Sequence, residues 1–167
     1  WAFESERLMP DGSKNPEFIL NREPFNTTGI LVASENYGCG SSREMAVWAI
    51  AGMGIRCVIA PSFGEIFFGN CFQNGLLPIQ LPHEDIAAIQ TQLLNRAETT
   101  DIQQISLTVN LIQQTIATPW RHDYSFRVDP LRRISLLEGL DPIGLTLKSL
   151  PAIEAFEAKR KSNHSWI

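Results

Sequence analysis

Short apolar runs and longer mixed stretches alternate along the chain, and their spacing predicts the elements. GILVAS, residues 29–34, is dense in branched apolar residues and reads as a buried strand. In residues 43–53, Ala46, Ala49, Ile50 and Met53 recur at helical spacing, and Gly54 stands where such a helix stops. CVIA, residues 57–60, is a second buried strand. A strand, a glycine-rich loop, a helix and a strand make a βαβ unit, with parallel neighbours and a right-handed crossover. Ser62 and Glu65 form a capping-box pair for a short helix that ends at Gly75, and LLPIQL, residues 76–81, reads as a third strand.

Beyond Pro82 the pattern changes. Residues 82–96 place Ile86, Ile89, Leu93 and Leu94 on one apolar helical face, with Glu84 and Asp85 in the favourable first turn. Residues 105–112 alternate as a strand does, and 125–128 predict another, paired in a hairpin-like excursion. Asp129-Pro130 opens a helix that Gly139 closes, and residues 151–161 form an amphipathic helix. Residues 1–28, rich in Pro, Asn, Asp and Gly, read as an irregular segment, mobile or incomplete. The expectation is one compact α/β domain over residues 1–167, with some antiparallel strand.

Composition narrows the function. The 167 residues are 44% hydrophobic and 19% charged, as in a soluble globular domain with a core of its own. A net charge of −4 argues against nucleic acid as the main partner. Every apolar run is interrupted well short of the roughly 18 residues of a membrane span, and no secretion leader is visible. Cys39, Cys57 and Cys71 are odd in number and lack a C-x-x-C pair, so neither a disulfide framework nor a metal cage is expected, and a reducing cytoplasm fits best. His83, His122 and His164 are scattered in polar surroundings and read as surface residues. The first residue, Trp1, is not methionine, which points to a processed product or a fragment.

The chemistry concentrates in NYGCGSSREM, residues 36–45. One reading is purely structural. Ser41 with Glu44 fits the S-x-x-E capping box, worth about 0.5–2 kcal/mol, and Gly38 and Gly40 turn the chain out of the strand. The other reading is an anion site. Glycines allow close backbone approach, a helix start offers free N–H groups, Ser41 and Ser42 add hydroxyls, and Arg43 adds a fork suited to carboxylate or phosphate. The loop follows a strand of a βαβ unit, at the edge where open α/β sheets bind ligands. It matches neither nucleotide-binding glycine pattern.

ENYGCGSSRE, with VIAPSFGEIFFGNCFQNGLLPIQL, closely resembles the small subunits of 3-isopropylmalate dehydratase. GLDPIGLTL and IEAFEAKR near the C-terminus resemble the bacterial form. The similarity runs from about residue 1 to 160; the G-x-G-S-S-R-E loop is shared across the aconitase superfamily, and the C-terminal motif points to the isopropylmalate branch. The resemblance implies an aconitase-like swivel domain, a three-layer β/β/α arrangement with a mainly parallel sheet. It implies a hydro-lyase that removes and re-adds water in leucine biosynthesis. Ser41 would be the general base on substrate carbon, Ser42 and Arg43 would hold a substrate carboxylate, and Gly38, Cys39 and Gly40 would shape the loop backbone. A [4Fe-4S] cluster would sit on a separate large subunit, with no metal held by this chain, and the substrate would be a small dicarboxylate.

The chain departs from the family in two places. The usual R-E-H-A-P-W-A run has Met45 for histidine and Val47 for proline, with Met45 expected to pack against apolar neighbours. A strand with a D-T-D-x-I-I-P-like segment, and the substrate loop after it, are expected before Trp1 in the family. Without them, and without the partner and its cluster, the chain alone is expected to be inactive. Two alternatives stay open: a related small subunit acting on homoaconitate, citraconate or a methyl-substituted malate, and a non-catalytic dicarboxylate-binding module.

Overall fold

A computed structural model describes residues 2–96, 101–120 and 122–163; His164 lies outside the described residues. The first 28 residues contain α1 (Glu4–Arg7) and two 3₁₀ turns, Ile19–Asn21 and Phe25–Thr27, so the irregular reading fits. Ala2 is nevertheless buried, and Phe3 and Leu20 pack on the same cluster.

β1 (Ile30–Val32), β2 (Cys57–Ala60) and β3 (Leu77–Gln80) form a parallel sheet with β2 in the middle. Ile30 pairs with Cys57, and Cys57 with Leu77. α2 (Met45–Gly52) joins β1 to β2, and α3 (Glu65–Gln73) joins β2 to β3. Pro78, which has no N–H to donate, falls on the edge strand β3, where a missing donor is tolerated.

Period-two alternation explains the continuous apolar runs, because both faces of this sheet are covered. Ile30, Val32, Cys57, Ile59, Leu77 and Ile79 face one cluster, and Leu31, Ala33 and Val58 face the other. The second cluster is closed by Val47 and Ile50 of α2 and by Phe67 and Cys71 of α3. The first is closed by Ile86 and Ile89 of α4 (His83–Leu94) and by Ile116, Tyr124 and Phe126. Those last residues belong to, or follow, an antiparallel meander of β4 (Thr108–Asn110), β5 (Thr115–Ala117) and β6 (Tyr124–Ser125). Antiparallel sheet, parallel sheet and helices are the three layers expected.

α5 (Pro130–Glu138) is capped by Asp129, whose carboxylate accepts from the N–H groups of Leu131 and Arg132, and it ends at Gly139 with φ 64°. Arg132 lies over the rings of Phe72 and Phe68, 4.8 and 5.4 Å from their centres, which ties α5 to α3. α6 (Pro142–Leu147) repeats the cap, with Asp141 accepting from the Gly144 N–H.

Four expectations need correction. The strand expected over 125–128 forms only as Tyr124–Ser125, where β6 pairs with β5. Leu94 is 71% exposed. At about 100° per residue it stands roughly 80° from Ile86, whereas Leu93 falls about 20° away. The final helix forms, as α7 (Leu150–Asn163), but it buries no residue and Phe156 is 66% exposed, so its apolar positions do not define an inward face. The Ser62–Glu65 capping box does not form: α3 begins after Gly64 with no side-chain cap, and Ser62 serves a different partner.

Candidate active site

Pairing between β1 and β2 continues past the strands and builds the platform for the loop. The Ala33 N–H donates to the Ile59 carbonyl at 2.9 Å. Tyr37 then pairs with Phe63: its N–H donates to the Ser62 carbonyl at 3.0 Å, and the Gly64 N–H donates to the Tyr37 carbonyl at 2.9 Å. The Asn36 N–H donates to Ser62 Oγ at 2.7 Å. The glycine loop is thereby laid against the start of α3.

The chain turns at Asn36 (φ 57°) and Gly38 (φ 79°), two left-handed positions that Asn tolerates and Gly favours. A Cβ on Gly38 would lie 2.3 Å from Cγ of Phe67, so the glycine is needed for space as well as for conformation. Gly40 has open space around it and no positive φ, so the turning role falls to Gly38 and not to both.

The Ser41–Glu44 capping box is not made. α2 begins at Met45, Glu44 is its N-cap, and no side chain caps it. Ser41 Oγ turns toward Arg43 instead, 3.4 Å from both its N–H nitrogen and its carbonyl oxygen, the local hydroxyl turn that competes with capping. The Glu44 carboxylate accepts from Asn74 Nδ2 at 2.9 Å, and Asn74 Oδ1 accepts from Trp48 Nε1 at 2.7 Å. The capping role read for Ser41 is therefore absent, and its hydroxyl serves the local turn at Arg43.

Ser41 is half-buried on the rim of an open cavity of about 290 Å³. Tyr37, Phe67, Ala46, Ala49 and Ile50 give this cavity an apolar lining, and Ala2 and Phe3 reach it from the N-terminal segment. Cys39, Gly40, Ser42 and Arg43 are exposed. Among the described residues Arg43 has no carboxylate partner, and the N–H groups of Gly40 and Ser42 meet no acceptor. A half-buried hydroxyl, exposed N–H groups and an unpaired guanidinium thus stand together just ahead of a helix start, a combination suited to an anion.

Tyr37, Cys57 and Cys71 keep their protons near neutrality. Burial raises the Tyr37 hydroxyl well above its ordinary value. Burial also pushes the thiols of Cys57 and Cys71 up to about 12, while Cys39 is an exposed free thiol in the loop. His83 Nε2 stands 3.4 Å from Glu35 Oε2 with both side chains exposed, and His122 lies edge-on to Tyr124. Among the described residues, no three His, Cys, Asp or Glu side chains gather as a metal site, and no helix is long and apolar enough to cross a membrane.

Both departures from the family's loop have a physical outcome. Met45 is 49% exposed and does not pack as expected, because the first residue of α2 points away from the core. Val47 is fully buried beside Ile50 and replaces the rigid proline with core packing. Residues 36–45 alone did not single out Ser62, Phe67 or Asn74. Ser62 carried a signal, the S-x-x-E pattern, but it pointed to the wrong partner.

Fold and loop together define an aconitase-type swivel domain. The model of the aconitase C-terminal domain matches residues 1–84, and that of the C-terminal domain of the 3-isopropylmalate dehydratase small subunit matches residues 143–167. The chain is 50% identical, over 99% of its length and 77% of the relative's, to a 3-isopropylmalate dehydratase small subunit of Gluconacetobacter diazotrophicus. It is 48% identical to one of Paramagnetospirillum magneticum and 46% to one of Afipia carboxidovorans, covering 99% of this chain and 79% of each relative. A crystal structure of 3-isopropylmalate dehydratase from Methanocaldococcus jannaschii superposes with a TM-score of 0.52 at 29% identity, over 77% of this chain and 68% of that one. The chain belongs to the 3-isopropylmalate dehydratase small-subunit family.

Proposed function

We propose that this chain acts as the small subunit of a 3-isopropylmalate dehydratase, a hydro-lyase of leucine biosynthesis working in the cytoplasm. The complex interconverts 2-isopropylmalate and 3-isopropylmalate by losing water and adding it back at the neighbouring carbon. The reading rests on one combination: near-50% identity to such subunits along 99% of the chain, with an intact Ser41-Ser42-Arg43 run whose first residue lines a cavity. Residues 1–167 act as a single swivel domain that carries this run to the large subunit.

Ser41 is the general base. A carbon-bound proton beside a carboxylate is weakly acidic, and an ordinary serine is a poor base, so its oxygen needs help to carry negative charge. That help comes from nearby positive potential: the Arg43 guanidinium, the exposed N–H groups of Gly40 and Ser42, and the start of α2. Ser42 and Arg43 hold a substrate carboxylate, and the guanidinium suits that task because its fork matches two oxygens and is weakly hydrated. Gly38, Cys39 and Gly40 supply loop backbone. The proton taken from carbon rests on Ser41 Oγ and returns during re-addition.

The remaining chemistry belongs to the partner. Cysteines of the large subunit would hold a [4Fe-4S] cluster, which would supply Lewis-acid chemistry for the departing hydroxyl. The thiols here do not resemble cluster ligands: Cys57 and Cys71 are buried on opposite faces of the sheet, and Cys39 is alone in its loop.

The test is reconstitution. The chain is mixed anaerobically with the cluster-loaded large subunit, and hydration of 2-isopropylmaleate is followed by loss of its absorbance. Turnover on that substrate supports the proposal. Turnover on citraconate or homoaconitate alone moves the enzyme to another substrate of the same mechanism, and no turnover on any of them refutes it.

A further inference from the structure

We infer that Ser62 and Asn74 are positioning residues for the Ser41–Arg43 run, holding its two ends from the neighbouring β2–α3–β3 unit. The inference rests on the proposed role of that run.

The front anchor is Ser62. Its hydroxyl accepts from the Asn36 N–H at 2.7 Å and reaches Asn36 Oδ1 at 3.3 Å, while its carbonyl accepts from the Tyr37 N–H. The rear anchor is Asn74. Its amide nitrogen donates to Glu44 Oε1 and to the Asn70 carbonyl, both at 2.9 Å, and its oxygen accepts from Trp48 Nε1. Between the anchors the loop holds itself with two backbone bonds, Cys39 N–H to the Asn36 carbonyl and Ser41 N–H to the Gly38 carbonyl, both 3.1 Å. Ser41 thus sits on a short span fixed at both ends.

Each anchor does something its local sequence does not need. Ser62 stands where a cap for α3 is expected, and α3 has no side-chain cap. Asn74 follows α3, yet its side chain reaches across to α2. The two anchors have different consequences. Ser62 fixes where the Ser41 segment starts, so its loss misplaces the base. Asn74 draws the Glu44 carboxylate toward α3 and away from the adjacent Arg43. Released, Glu44 competes with substrate for that guanidinium.

The experiment uses the reconstituted two-subunit enzyme with Ser62→Ala, Ser62→Thr, Asn74→Ala and Asn74→Ala combined with Glu44→Gln. Ser62→Ala is expected to lower kcat about tenfold with KM nearly unchanged, and Ser62→Thr to restore it. Asn74→Ala is expected to raise KM about tenfold with kcat nearly unchanged, and Glu44→Gln to recover most of that loss. Hydrogen exchange should rise in residues 36–44 of Ser62→Ala and of Asn74→Ala and stay unchanged in β2 and β3. Wild-type kinetics in Ser62→Ala or in Asn74→Ala overturns the inference. So does a Ser62→Thr enzyme no better than Ser62→Ala, or exchange that is unchanged in 36–44 or raised throughout. Ser41→Ala is run beside them: full activity there refutes the proposed role of Ser41, whereas the exchange result still decides whether the anchors hold the loop.

Discussion

Replacing Gly38 with alanine tests the loop's construction most sharply. Two costs arise at this one position. Its φ of 79° lies in the left-handed region, where a Cβ costs roughly 1–2 kcal/mol. The new Cβ would also come within 2.3–2.7 Å of three atoms of Phe67. Phe67 cannot simply swing aside, because it is 2% exposed and its ring meets Tyr37 edge-on at 5.4 Å. Overpacking of that kind costs about 1–3 kcal/mol. Together the loss is roughly 2–5 kcal/mol, or about 4–20 °C in melting temperature for a domain of this size. Gly54→Ala is the control: its φ is 92°, but nothing lies within 4 Å of its added Cβ, so only the backbone cost applies. Urea unfolding of both variants, beside Gly38→Ala in a Phe67→Ala background that removes Cγ and Cδ1, separates the terms. Equal losses for Gly38→Ala and Gly54→Ala, or a Gly38→Ala loss undiminished in the Phe67→Ala background, would refute the reasoning.

Other consequences follow from the same geometry. With Arg43 in its proposed substrate-binding role, Arg43→Ala should raise KM for the dicarboxylate roughly 10–100-fold while leaving the melting temperature unchanged, because the guanidinium is exposed and makes no contact that holds the fold; steady-state kinetics and calorimetry check both halves. Asp129→Ala removes the acceptor for two N–H groups at the start of α5 and should cost about 0.5–2 kcal/mol in denaturant unfolding. Stability should fall as pH rises from about 9 toward 12. In the unfolded chain the thiols ionise near 9.0, while the folded thiols of Cys57 and Cys71 keep their protons up to about 12, so the unfolded state is favoured as they ionise. Urea midpoints across that range test this, and a flat profile contradicts it.

The parallel sheet was legible because its strands are buried on both faces and therefore read as unbroken apolar runs. The cap of α5 was legible because Asp129, Pro130 and Gly139 act locally. β5 was not, since Thr115–Ala117 offers one inward side chain, Ile116, among polar neighbours, and only pairing with β4 and β6 makes it a strand. α6 was overlooked although Asp141-Pro142 repeats the signature of α5. At the loop, residue types marked the chemistry as anion-binding in character, but the capping pairs failed at both Ser41 and Ser62. Each hydroxyl had a better-placed partner, and one of those partners lies 26 residues away in sequence. Local patterns name the residues that can bond; long-range packing chooses which bonds are made.

Everything proposed for the reaction turns on Ser41 removing the substrate proton. The decisive measurement compares wild type with Ser41→Ala in the reconstituted complex, recording both turnover of 2-isopropylmaleate and substrate binding. Turnover is expected to fall by at least about a thousandfold while substrate still binds through Ser42 and Arg43. A Ser41→Ala complex that turns over at the wild-type rate would show that another group takes the proton.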